Sequence, residues 1–234
     1  MTELLLDAPD LPRVEIEALI GTRIRDIKLY QTAFTHKSAL KKYKLTDSFE
    51  TLEFMGDSVL GFIITKYLFD SFRDRQEGFL TKARTKLVRS ETLAKIGSKL
   101  QLDRWILMDD KGTHNGWAKN TKVLEDVFEA LVGAIYMDIG LLHAKEFVLR
   151  IFMDPGFVDM NCLMIDDNYK DILMRYCQAN HYELPAYPII SHQNGIFSVC
   201  VIVNATRFGH GSARSKKQAE QDAAKMTLAH LRQI

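Results

Sequence analysis

From Phe49 to Ile64, apolar residues fall on every side of a helix drawn at about 100° per residue, and after Asp57 no charge appears until Lys66. A helix that is apolar all round belongs inside a protein. Lys122 to Asp138 repeats the pattern, with Val123, Leu124, Val127, Phe128, Leu131, Val132 and Ile135 leaving no polar face. Two buried helices therefore anchor the first two thirds of the chain. Ahead of them, Val14 to Leu29 reads as a helical opening interrupted by Gly21, which acts as a stop. Asp47, with Glu50 three residues on, predicts a capping box at the start of the central helix. Lys41-Lys42-Tyr43-Lys44 reads as a solvated basic turn, and Lys111 to Asn120, rich in Gly, Asn and Lys, as a loop. Gly61 and Gly133, poor helix residues, are expected where the two buried helices approach each other and pool their acidic groups.

The period changes after Met153-Asp154-Pro155-Gly156, which closes the helical region. Tyr169 to Asn180 is helical. Ala186 to Ser191, Ile196 to Val203 and Thr206 to Ala213 read as strands, the second alternating through Phe197, Val199, Val201 and Val203. Ser215 caps a last helix running to about Leu231. The expected division is a helical domain over 1–152, a linker over 153–167 and an α-β-β-β-α module over 168–234.

Composition changes this picture in one respect. Hydrophobic content of 47% and a charged fraction of 26% are ordinary for a globular protein. No run of apolar residues is long enough to span a membrane, and the acidic start Met1-Thr2-Glu3-Leu4-Leu5-Leu6-Asp7 is unlike a secretory signal. Cys162, Cys177 and Cys200 share no ligand spacing and read as reduced thiols of a cytoplasmic protein. The net charge of +1 hides an asymmetry. Residues 168–234 hold eight Lys/Arg against four Asp/Glu, and residues 1–167 hold 23 against 26. A basic module behind a mildly acidic body is suited to meeting a polyanion.

The acidic residues of the buried helices are the candidate chemistry. Glu50, Glu53 and Asp57 fall at roughly 0°, 300° and 340° around the first helix, one narrow stripe. Asp126 and Glu129, three apart, share a face of the second. Glu50 alone is explained by helix capping; Glu53 and Asp57 lie deeper and are not. Like charges on a buried helix cost about several kcal/mol per ion unless countered, and no Lys or Arg lies within the first stretch. A hard divalent cation such as magnesium, which takes carboxylate oxygens, is the economical counter-charge.

Phe49-Glu50-Thr51-Leu52-Glu53-Phe54-Met55-Gly56-Asp57-Ser58 closely resembles the signature helix of the ribonuclease III family, usually Asn-Glu-Arg-Leu-Glu-Phe-Leu-Gly-Asp-Ser. It departs at Phe49, Thr51 and Met55, none of them at a family metal-ligand position. Asp126-Val127-Phe128-Glu129-Ala130-Leu131-Val132-Gly133-Ala134 resembles the second signature, with Glu125 where alanine is usual, and its continuation Ile135-Tyr136-Met137-Asp138 looks like the eukaryotic Dicer branch. Leu29 to Ser38 resembles the early Leu-Thr-His-Arg-Ser motif, with Lys37 for arginine. His36 within it reads as a helix-end histidine bonded to backbone rather than a base. Glu77-Gly78-Phe79-Leu80-Thr81 resembles the family's acidic turn. Leu184-Pro185-Ala186-Tyr187 and Gly209 to Glu220 resemble the double-stranded RNA-binding domain.

The resemblance implies an all-α ribonuclease III catalytic domain followed by a small α+β double-stranded RNA-binding domain. It implies a magnesium-dependent endoribonuclease (manganese can substitute) that leaves 5′-phosphate and 3′-hydroxyl ends with short 3′ overhangs. Glu53, Asp57, Asp126 and Glu129 would hold metal, Asp57 and Glu129 being the catalytic pair, with Glu50 and Glu77 in support. Lys216 and Lys217 at a helix N-terminus, with Ser215, would meet phosphate. Arg84, Lys86 and Arg89 are either a solvated face or further RNA contacts. The loop Ser191-His192-Gln193-Asn194-Gly195 is shorter than most such domains carry, so the family's minor-groove contact is not assigned to His192 or Asn194. Phe54 occupies the position that family members use as a knob into a homodimer partner; otherwise it is core. The partners expected are double-stranded RNA and a second copy, with no membrane and no nucleotide cofactor. The rival reading is a non-catalytic protein that binds double-stranded RNA, as a ribosomal component or a silencing suppressor acting by sequestration.

Overall fold

The computed structural model describes residues 8–164 and 168–231, which form two compact units meeting in sequence at Leu163 and Met164. Residues 1–7, 165–167 and 232–234, and the side chains of Cys162 and Met164, lie outside the description; the expectations for the N-terminal stretch and part of the linker fall there.

The first unit is helical. Its elements are α1 (Arg13–Ile20), α2 (Ile27–Ala33), α3 (Ala39–Tyr43), α4 (Glu50–Ser71), α5 (Glu77–Val88), α6 (Ser90–Lys99), α7 (Asp110–His114), α8 (Thr121–Ile139) and α9 (Leu141–Phe152), with 3₁₀ turns at Leu102–Trp105, Trp117–Lys119 and Met160–Met164. The opening helix is two helices: Gly21 ends α1 at φ +81°, and α2 starts again at Asp26, whose side chain accepts from the Lys28 N–H.

The capping box at Asp47 does not form. α4 starts at Glu50 behind Phe49, which has no side-chain cap, and Asp47 accepts from the Thr46 hydroxyl instead. Phe49 is buried, so the helix entry is set by core packing rather than by a polar cap. The basic stretch at Lys41 is the helix α3, with Lys42 paired to Asp110, and the expected loop at Lys111 contains α7 and a 3₁₀ turn. The basic run after Glu77 forms two helices, α5 and α6, with a break at Arg89, whose ψ of 153° is extended.

α8 is the axis of this unit: every residue from Leu124 to Ile135 is buried. α4 packs along it through Leu52, Gly56, Val59, Leu60, Ile63 and Ile64. A Cβ on Gly56 would lie 1.8 Å from the Glu129 carbonyl oxygen, and one on Gly133 would lie 2.3 Å from that of Leu52. Gly61, expected at this crossing, faces open space instead; Gly56 takes that role. At the far end of α8, Asp138 accepts from the Arg25 and Asp26 N–H groups at 2.9 and 2.8 Å and from the Tyr30 hydroxyl at 3.2 Å, fastening α2. Burial, and then Asp138, push the Tyr30 phenol up.

The second unit is α10 (Tyr169–Ala179), β1 (Ile189–Gln193), β2 (Ile196–Val203), β3 (Thr206–Ala213) and α11 (Lys216–Leu231). The strands form an antiparallel sheet in the order β1-β2-β3, with Phe197 opposite His192 and Ala213. Leu173, Cys177, Val201, Val203, Ala223, Ala224 and Leu228 make its core. β1 begins later than expected, at Ile189. Pro188 has no N–H for a ladder; its carbonyl accepts from the Cys200 N–H, and Ala186 joins Ile202 only through an isolated bridge. Asn194 and Gly195, at φ +52° and +73°, make a two-residue turn that holds the pairing close to the hairpin tip. Cys177 and Cys200 are buried free thiols.

Candidate active site

The close crossing of α4 and α8 brings three carboxylates together. One ligand oxygen from each of Glu53, Asp126 and Glu129 lies within 4.8 Å of the other two. The contact at Gly56 is the cause: the Glu129 carbonyl touches α4 one turn beyond Glu53, so their side chains emerge side by side. Asp126 and Glu129 are 8% and 6% exposed. Asp57, exposed on the next turn of α4, is outside the three but adds to the field on Glu129.

The electrostatics are those of crowded, desolvated anions. Burial first, then Asp57 and Glu125, push the Glu129 carboxyl up to about 8. Burial and the neighbouring Asp126 raise Glu53. The answering charge comes from α8 itself. Lys122 Nζ lies 2.6 Å from Asp126 Oδ1, 3.5 Å from Glu125 Oε2 and 3.6 Å from Glu53 Oε1. Desolvation draws this ammonium down, but the hydrogen bond and charge of Asp126, then Glu125 and Glu53, outweigh it and hold it above its ordinary value. Lys122 and the buried Glu125 were not among the candidates; the i, i+4 spacing of Lys122 to Asp126 was the available signal.

The donor set fits a hard divalent cation. Glu125 Oε2 is buried with no hydrogen bond among the described residues, Asp126 Oδ1 has the Lys122 ammonium at 2.6 Å, and one ammonium cannot balance the carboxylates around it. Glu50 stands apart: half exposed, it accepts from Lys37 at 3.2 Å and from the Ser48 hydroxyl, and the Lys37 bond lowers its pKa. Glu77 opens α5, exposed, accepting from the Thr81 hydroxyl. His36 Nδ1 lies 2.9 Å from Ser38 Oγ and accepts from the Ser38 N–H, while burial and Lys37 lower its pKa. A cavity of about 500 Å³ walled by Leu11, Phe34 and Trp105 contains none of the clustered carboxylates.

The basic candidates fall on both units. Lys82, Arg84 and Lys86 lie along α5 and Arg89 at its end, Arg84 donating to the Thr65 hydroxyl at 3.4 Å. On the second unit, Ser215 Oγ accepts from the Gln218 N–H and starts α11. Lys216 is 3.9 Å from Glu220, which Lys170 also pairs; Lys217 is exposed and makes no ion pair among the described residues. Phe54, next to Glu53, is 76% exposed and is not core; Phe62 and Phe69 continue its stripe along α4.

The chain matches the family model described as ribonuclease-III-like over residues 26–155 and the double-stranded RNA binding motif over 169–231. It is 39% identical to the putative protein A464R of Paramecium bursaria Chlorella virus 1, across 92% of this chain and 77% of that one. It is 37% identical to ribonuclease 3 of Chlorobium chlorochromatii (92% and 89% covered) and 34% identical to that of Clostridium perfringens (96% of each). The nuclease domain of ribonuclease III from Campylobacter jejuni, solved in a study of flexibility in its dimer-forming region, superposes with a TM-score of 0.55 at 37% identity. It covers 58% of this chain and 92% of its own. With the acidic crossing of α4 and α8 and the basic α+β module behind it, the chain belongs to the ribonuclease III family.

Proposed function

We propose that this protein is a magnesium-dependent endoribonuclease that cuts double-stranded RNA, leaving 5′-phosphate and 3′-hydroxyl ends with short 3′ overhangs. The observation that carries the reading is the convergence of Glu53, Asp126 and Glu129 oxygens within 4.8 Å on two otherwise apolar helices. Glu53, Asp57, Asp126 and Glu129 would hold the metal, which when bound supplies an activated water and charge compensation at the scissile phosphate. Asp57 and Glu129 are the residues nearest the chemistry in this reading. Burial and the neighbouring carboxylates push the Glu129 carboxyl up to about 8, so it would have to release its proton to serve as a metal ligand. Glu50 and Glu77 keep the surrounding surface acidic.

The proposed domains are the catalytic one over 1–152 and the RNA-binding one over 168–234, with 153–167 as linker. Duplex RNA is recognised by shape and phosphates, which suits exposed cations on firm helices. Lys217 and Lys216 at the start of α11 meet phosphate, Ser215 fixes that helix start, and Arg84, Lys86 and Arg89 extend the basic surface on the catalytic unit. Two catalytic units are needed to address both strands, so the chain works as a homodimer with Phe54 in the partner contact. No helix among the described residues is long and apolar enough to cross a membrane.

Incubation of the purified protein with long double-stranded RNA, with magnesium and with EDTA, tests the reading. The expected result is short duplex products with 5′-phosphate ends in magnesium only. Binding without cutting under both conditions would overturn it in favour of sequestration.

A further inference from the structure

Glu125 departs from the family pattern, and the structure gives it a position that packing does not explain. It is 8% exposed, one turn from Glu129 on α8. One oxygen accepts from the Ser90 hydroxyl at 2.8 Å, at the start of α6. The other, Oε2, is buried without a hydrogen bond among the described residues, and Lys122 is paired with it at 3.5 Å. A carboxylate in such a place is costly unless a charge meets it. That charge is shared: the same ammonium sits closer to Asp126, at 2.6 Å, and also reaches Glu53 at 3.6 Å. Lys122 thus stands among the very oxygens assigned to metal, as a monovalent substitute on a flexible stem that is 64% exposed.

We infer that Glu125 is a positioning residue that takes Lys122 when Glu53 and Asp126 bind a divalent cation. With those two carboxylates occupied, an ammonium beside them would be repelled, and Glu125 Oε2 offers it a buried acceptor already within 3.5 Å. Lys122 then stays at the edge of the site, and the unpaired oxygen of Glu125 gains its full partner. Alanine at this position would give the displaced lysine nowhere to go but solvent. The inference rests on the metal-dependent reading above and adds to it a specific exchange of partners.

The test measures Mn²⁺ binding to full-length, RNA-free protein by the electron paramagnetic resonance of the free ion. Lys122→Met should tighten binding by about fivefold, since the resident competitor is gone, and Glu125→Gln should weaken it by about as much, the scale of one partly exposed charge pair. In the Lys122→Met background, Glu125→Gln should have no more than a small effect, because no lysine remains to be housed. Ser90→Ala, which removes the hydrogen bond without touching charge, should leave Mn²⁺ affinity unchanged and reports any effect of loosened packing. Equal weakening by Glu125→Gln in both backgrounds, or weakening by Ser90→Ala to match it, would overturn the inference alone. Failure of the wild-type protein to bind Mn²⁺ at millimolar concentration would overturn the metal reading and this inference with it.

Discussion

Gly56 of α4 rests directly on the carbonyl of Glu129 in α8, so closely that a methyl group at position 56 would stand 1.8 Å from that oxygen. The contact joins fold to chemistry, because the helix separation it permits is what brings Glu53 and Glu129 oxygens within reach of one ion. Any side chain at Gly56 must push the helices apart against a rigid backbone. Gly56→Ala is therefore expected to destabilise the protein by about 3 kcal/mol, the upper range for overpacked cores. It should also remove the stabilisation that magnesium gives the wild type. Gly61→Ala, facing open space in the same helix, should be neutral or slightly stabilising. Thermal melts of both variants, with and without magnesium, check this; equal behaviour of the two would refute the role of the crossing.

The raised Glu129 carboxyl makes a stability prediction with a definite sign. Its pKa in the folded protein is about 8, against an ordinary value of 4.5, so the metal-free native state holds a proton that the unfolded chain has released. The stability tied to that proton is fully present below about pH 4.5 and is lost as pH rises through 8. Glu129→Gln, which keeps the shape and cannot ionise, should match the wild type near pH 5 in EDTA and exceed it by about a few kcal/mol at pH 8.5. The same substitution should abolish cleavage while sparing binding to RNA. Melting temperatures across pH decide it: a constant gap between the two proteins would show that Glu129 does not carry the proton.

The long apolar helices were legible because their signal is one-dimensional: continuous hydrophobicity over α4 and α8 needs no knowledge of partners. β2, β3 and the Ser215 cap were legible for the same local reason. What could not be read depends on contacts distant in sequence. The choice of Gly56 over Gly61 is a matter of which helix face meets α8. The break between α5 and α6 at Arg89 has no Gly or Pro to mark it; there the Ser90 hydroxyl reaches Glu125, 35 residues on. Asp47 looked like a cap because its spacing to Glu50 is right, yet burial of Phe49 sets the helix start. The acidic stripe was visible in the sequence, and so was the i, i+4 spacing of Lys122 to Asp126; that Lys122 also reaches Glu53 was not, because that contact crosses from α8 to α4.

The two lysines that open α11 are not equivalent. Lys216 lies 3.9 Å from Glu220, so an RNA phosphate must compete with a resident carboxylate, whereas Lys217 has no ion pair among the described residues to give up. Lys217→Ala should weaken binding to duplexes of any sequence and reduce the slope of log affinity against log salt by about 1. Lys216→Ala should do so less. Filter-binding titrations at several salt concentrations compare them, and a larger loss for Lys216→Ala would show that Glu220 orients that lysine rather than holding it back.

The proposed dimer contact at Phe54 would tie assembly to cleavage. Phe54 follows Glu53 directly, so its ring leaves α4 about 100° from the carboxylate that faces the cluster. At 76% exposure it contributes little to the core of its own protomer, and Gly61, Phe62 and Phe69 share its side of the helix. An aspartate there should leave the fold intact, as exposed substitutions away from packed features do. In a dimer the same aspartate would be an unpaired charge in an apolar contact, costing about several kcal/mol. Each ~1.4 kcal/mol is tenfold in affinity, so a micromolar dimer would dissociate at working concentrations. Phe54→Asp is therefore expected to give a folded monomer with wild-type circular dichroism, normal binding to duplex RNA and no double-strand cuts. Sedimentation velocity decides the matter: a variant that remains dimeric removes Phe54 from the interface, and a monomer that still makes paired cuts removes the need for two subunits.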